Sequence, residues 1–254
     1  MSRLDELRRE LRALPAPAWR AHLAAHSGLP GPRANLELAR AAAEEAPPEV
    51  VRQLAGDDDE YLALCGAVGL GRLLAEGDPA AAPSLRRLAD DDRWRVREGV
   101  AMGLQRLGDD DLQRLLDLAA GWAAEPSALA QRAAVAGVCE PRLLRQPAAA
   151  VIPEPPLKTA AHQALDLLDT VTEALAARTD GGRRDPAVRV LRQALGYCWS
   201  VAVAALPAEG FDRLGRWAGS DDGDVRWVLR ENLGKARLRR ADPATVARLR
   251  ELVG

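Results

Sequence analysis

Helix-forming segments in this chain recur at a spacing of 34 residues, and that period limits the fold more than any other feature. Sliding the sequence by 34 places Ala67-Val68-Gly69-Leu70-Gly71-Arg72-Leu73 over Ala101-Met102-Gly103-Leu104-Gln105-Arg106-Leu107, and a second slide brings Gly103-Leu104 onto Gly137-Val138 and Val96 onto Ala130. The clearest copy runs from Asp91 to Gly108. An acidic turn is followed by Val96, Val100, Leu104 and Leu107, whose spacings of four, four and three put them along one helical stripe. Glycines 69, 103 and 137 fall in mid-helix, where glycine costs about 1 kcal/mol relative to alanine, so their recurrence predicts close approach of a neighbouring helix.

Only 4% of residues are aromatic, and the apolar 48% is mostly Ala, Leu and Val with no alternating pattern, so the chain is expected to be all-α. Helices are predicted over Ser2–Leu11, Trp19–His26, Arg33–Glu45, Pro47–Leu54, Glu60–Leu74, Ala80–Leu88 and Asp111–Ala123. Others follow over Thr159–Arg178, Pro186–Ala205, Pro207–Ala218 and Asp224–Leu233, and a last one, capped by Asp242, runs to Val253. Residues 1–46 read as capping helices. Residues 141–185 read as an irregular insertion, because Pro141, Pro147, Pro153, Pro155 and Pro156 make a loop too proline-rich for helix and Thr179 to Asp185 is a Gly/Arg-rich turn. Paired helices at this period predict one α-α superhelix over 1–254, each hairpin burying its stripe on the next.

At this point the sequence resembles the HEAT-repeat family. The residues that carry the resemblance are Asp91-Asp92 with Val96-Arg97 and Asp221-Asp222 with Val225-Arg226, each followed by small and apolar residues. It implies a bacterial HEAT/ARM-like solenoid of antiparallel hairpins, with Arg97 and Arg226 hydrogen-bonding between repeats. The loop Gly28-Leu29-Pro30 leading into Arg33-Ala34-Asn35-Leu36, and the region Ser220 to Val246 with Arg230, also resemble distantly the alkylpurine DNA glycosylases built of HEAT-like repeats. That likeness implies a DNA groove in which Trp94 and Trp227 stack, Glu98 supplies a carboxylate and Arg230 meets phosphate.

Net charge of -2 and a pI near 6.0 argue against binding nucleic acid or membrane with the whole surface. Charge is nevertheless polarised: eight acids face two arginines between Glu37 and Glu60, whereas residues 225–250 hold eight basic side chains against two acids. Cys65, Cys139 and Cys198 are odd in number and sit in apolar segments, so they read as buried thiols of a cytoplasmic protein, with no signal sequence or membrane span.

Chemistry-bearing motifs are sparse. His22 and His26 are four apart but lack a third ligand, so they read as polar positions on a short helix. Asp166, Asp169 and Glu173 read as a solvated helix face. No nucleophile elbow or phosphate loop occurs. Neither catalytic residues, metal nor cofactor are expected. The expected function is a non-enzymatic scaffold or adaptor that binds a protein partner through its second helices, with Trp94, Glu98, Arg132, Trp227, Arg230 and Lys235 as the partner-facing residues. The alternatives are a DNA-binding relative of the glycosylases using residues 225–250, and a helper of cofactor attachment like the HEAT-repeat bilin lyases.

Overall fold

A computed structural model describes residues 2–145 and 158–254. Among them every regular element is helical, and no helix is long and apolar enough to cross a membrane. Pro147, Pro153, Pro155 and Pro156 of the expected loop lie outside the described residues. The chain divides into two compact units, Met1–Asp111 and Leu112–Gly254.

Unit 1 contains α1 (Arg3–Arg12), α2 (Trp19–Ala25), α3 (Leu36–Glu45), α4 (Pro48–Ala55), α5 (Glu60–Ala75), α6 (Ala81–Ala89) and α7 (Trp94–Asp110). Helix α5 is its centre, packed against α2, α3, α4, α6 and α7. All but three of its sixteen residues are buried, so it has no polar face to turn to water. Glycines let the neighbours come close. A Cβ at Gly103 of α7 would stand 2.5 Å from the carbonyl oxygen of Ala67, and one at Gly71 would run into the backbone of Gly103. The two helices therefore touch backbone to backbone, which only residues without a side chain allow. Gly69 instead accommodates the side chain of Val51 on α4, 2.9 Å from where its Cβ would lie. The predicted stripe Val96, Val100, Leu104 and Leu107 is fully buried.

Unit 2 contains α8 (Leu112–Ala123), α9 (Ala128–Val138), α10 (Pro141–Leu144), α11 (Ala160–Ala176), α12 (Asp180–Arg183), α13 (Pro186–Ala205), α14 (Pro207–Ala218), α15 (Gly223–Leu233), α16 (Ala236–Ala241) and α17 (Pro243–Val253). Helices α9, α13, α15 and α17 pack in succession, as do α8, α11 and α14. A buried polar clamp joins α13 to α15. The Asn232 side chain accepts from the Ser200 amide at 2.8 Å and donates to the carbonyls of Leu195 and Val228 at 2.9 and 2.7 Å. It thus enters the hydrogen-bond ladder of α13 with every polar atom matched. Trp199, also buried, donates its Nε1–H to Thr172 Oγ1 at 3.0 Å.

Helix starts at Glu60, Trp94 and Ala128 keep the 34-residue period. Three local expectations differ. The helix expected from Arg33 begins at Leu36, because Asn35 is its N-cap and accepts from the Leu38 amide. Pro141 opens the short helix α10 rather than a loop, a first-turn position where proline's missing N–H costs nothing. Within the expected turn Thr179–Asp185, residues Asp180–Arg183 are helical, capped by the Thr179 hydroxyl.

Arginine–carboxylate pairs hold the surface of each unit. Glu45 receives Arg12 and Arg8, and Asp91 receives Arg93 in bidentate fashion. Hydrogen bonds from these arginines hold both carboxyls below the ordinary range despite partial burial. Asp224 is pushed up by burial and pulled lower still by Arg192 and Arg183. Because the folded pKa lies below the unfolded one, the unfolded chain takes up protons first as pH falls. Their stabilisation is present above the ordinary carboxylate pKa of about 4 and is lost below it. Denaturation midpoints should therefore be level from pH 7 to 5 and drop below about pH 4; an unchanged midpoint at pH 3 would contradict the pairing. In the same assay Gly71→Ala should cost about 1–3 kcal/mol. Gly121→Ala on α8, where a Cβ meets nothing within 4 Å, should be neutral or gain up to about 1 kcal/mol.

Candidate functional site

The first turns of α3 and α7, together with the loop before α3, enclose a cleft of about 550 Å³ in unit 1, within the range of small-ligand and peptide pockets. Pro32, Arg33, Ala34, Asn35, Leu36 and Glu37 form one wall, Trp94, Arg95 and Glu98 the other, and Leu64 of α5 lies between them. The two walls are some sixty residues apart in sequence.

Asn35 builds the first wall. Its amide donates to the Ser27 carbonyl at 2.8 Å and its Nδ2 to the His26 carbonyl at 3.2 Å, closing the loop into a ring. Its own carbonyl accepts the Tyr61 hydroxyl of α5 at 2.7 Å. With the side chain also capping α3, Leu36 is held outward at 39% exposure.

The second wall is set by the acidic turn before α7. Arg93 at the N-cap turns back to Asp91 and donates to the carbonyls of Asp57 and Asp58 at 3.0 and 2.9 Å. Glu60 takes the Arg95 amide at 3.2 Å and its guanidinium at 2.7 Å. The same guanidinium lies 4.5 Å from the centroid of the Trp94 ring, a cation–π contact on an indole that is 58% exposed. The Nε of Arg95 is buried without an acceptor. Arg97 donates to the carbonyls of Asp91 and Asp92, within its own turn.

The structure thus brings two of the sequence-derived residues, Trp94 and Glu98, into one cleft; Glu98 has interactions of its own. Trp227, Arg230, Lys235 and Arg132 belong to unit 2. Trp227 is half-buried, stacked by Arg192 at 4.7 Å on one side and packed on Gly196, where a Cβ would meet the indole at 3.0 Å. Arg230 donates to the carbonyls of Val253 and Gly254, and Arg226 joins it on Val253. Lys235 pairs with Glu231 at 3.5 Å, and Arg132 is half-buried on α9 with a partner of its own.

The charge polarity is largely used inside each unit. Glu44 pairs with Arg106, Glu45 with Arg8 and Arg12, Asp57 with Arg20 and Glu60 with Arg95. In the basic stretch, Arg239 and Arg250 donate to the carbonyls of Gly234 and Leu233, cations at a helix C-terminus where the dipole favours them. Arg237 stacks on Tyr197.

Other sequence candidates resolve into packing. Asp166 and Asp169, expected on a solvated face, both pair with Arg213 of α14 at 2.7 and 2.8 Å, and Asp169 also accepts the Trp217 indole N–H. The face is an ion-paired seam between α11 and α14, which sequence spacing cannot show because α14 is over forty residues away. His22 and His26 stack at 4.4 Å, and among the described residues no group of three or more His, Cys, Asp or Glu side chains could hold a metal. All three cysteines are free and buried, and burial pushes the Cys65 thiol up to about 12. Asn35 and Leu36 enter the sequence reading only as part of the loop that resembles the glycosylases, with no role of their own, and Arg95 does not enter it; an Asn just ahead of a helix start is the signal the sequence offers for the first wall.

No protein-family model and no curated protein matches the chain. Two solved structures of engineered proteins are similar to it. One is 16% identical with a TM-score of 0.36, covering 96% of this chain and 100% of that one; the other is 14% identical with a TM-score of 0.31, covering 98% of each. Likenesses at this level carry no weight for function.

The two tryptophans should separate in a stability assay. Trp227→Ala removes an indole wedged between α13 and α15 and should cost about 2 kcal/mol or more, whereas Trp94→Ala should cost less than about 1 kcal/mol. Equal losses in urea denaturation would contradict the assignment.

Proposed function

We propose that this chain is a non-catalytic binding module, built as a HEAT-like superhelix of helical hairpins and working in the cytoplasm, that takes a segment of a protein partner in the cleft at Trp94. The observation that carries this reading is the exposed indole, with the Arg95 guanidinium over its ring, lining one cleft together with exposed Leu36. Aromatic anchors of this kind dominate protein interfaces, because they offer a large apolar area at small conformational-entropy cost. The cleft is lined largely by apolar atoms, and of its polar groups Asn35 caps α3 while Glu37 and Arg95 are ion-paired, an arrangement suited to holding a ligand.

The DNA-binding reading finds less support, since of its stacking and phosphate residues only Trp94 is left open, while Trp227 and Arg230 are engaged with α13 and the end of α17. For the cofactor-attachment reading no residue stands out.

Two measurements divide these readings. Immobilised wild-type and Trp94→Ala chains exposed to cell extract should retain sets of proteins that differ, with the specific partner reduced about tenfold by the substitution. Identical sets would contradict the proposal. Labelled duplex DNA should show no binding at low salt; binding that weakens steeply with added salt would favour the nucleic-acid reading instead.

A further inference from the structure

We propose that the occupant of the Trp94 cleft is an extended acidic segment of a partner protein, placing one large apolar side chain between Trp94 and Leu36 and a carboxylate against Arg33. This inference rests on the reading of the cleft as the partner site and adds the chemistry of what enters it.

The apolar half follows from exposure. Four large hydrophobic side chains are exposed among the described residues, and two of them, Trp94 and Leu36, face this one cavity above buried Leu64. An apolar side chain entering there removes both from water, and that burial drives its association. One indole face already carries Arg95, so the incoming group meets the remaining exposed surface of the ring.

The acidic half follows from which lining charges are already paired. Glu37 pairs with Arg3 at 3.3 Å, Arg95 with Glu60 at 2.7 Å, and Glu98 is not without a partner. Arg33 is exposed at the rim and makes no ion pair among the described residues. Its guanidinium offers five N–H donors in a planar fork that matches a carboxylate. A basic segment would have to compete with Arg3 for Glu37 and would meet Arg33 as a like charge.

The test is heptapeptide display on the immobilised full-length chain, followed by anisotropy titration of the selected peptides on wild type, Trp94→Ala and Arg33→Glu. Selected peptides should combine an aromatic or leucine residue with a neighbouring Asp or Glu. Trp94→Ala and Arg33→Glu should each weaken them about tenfold, and raising the salt should weaken wild-type binding more than binding to Arg33→Glu. Peptides that need Trp94 but are basic or neutral, and bind Arg33→Glu as well as wild type, would overturn the acidic assignment while leaving the cleft as the partner site. Selection of no peptide, or only of peptides indifferent to Trp94→Ala, would overturn both. Circular dichroism of each variant, with helix content and melting midpoint close to wild type, separates loss of binding from loss of fold.

Discussion

Helix α5 can be buried on nearly all sides only because α7 meets it without side chains in between. At Gly71 and Gly103 the two backbones are in contact, and a single methyl group would have to displace a carbonyl. Close approach of this kind fixes rotation and translation together, since any slip brings a larger residue into the gap. The position of α7, and with it the direction in which Trp94 leaves the helix, follows from that packing. The cleft is thus a consequence of how tightly the core of unit 1 closes.

Charge plays the second structural part. Arginine supplies nearly all the positive charge of the chain, and much of it meets carboxylates or helix-end carbonyls. These contacts explain why a sequence so divided between acidic and basic stretches need not display matching surface patches. Glu44, Glu45, Asp57 and Glu60 are each met by arginines from elsewhere in unit 1. Arg33 is one of several arginines outside these pairs, and it is the one of them that lines the cleft.

Much of the fold was legible because it repeats. The glycines and the apolar stripe at a spacing of 34 placed the helices that begin at Glu60, Trp94 and Ala128, since period and packing reflect the same constraint. The start of α3 was misplaced by three residues because Asn35 is held by His26, Ser27 and Tyr61, and no local propensity encodes those contacts. The site was half legible. Trp94 and Glu98 are named by the sequence reading, yet the opposite wall of their cleft comes from a loop sixty residues earlier. Trp227 and Arg230 look equivalent to them in sequence, but Gly196 and the carbonyl of Val253 reach them from other helices.

The central claim is that the cleft of unit 1 is the surface through which this chain meets its partner. A photo-reactive benzophenone side chain introduced at Leu36, on the cleft wall, tests it most directly, with the more exposed Leu252 as an apolar control in unit 2. Irradiation in extract of the organism that makes the protein should give a discrete covalent adduct from position 36, absent from position 252 and lost when Trp94→Ala is added. Adducts of the same size and yield from both positions, or an adduct at 36 that survives Trp94→Ala, would contradict the account.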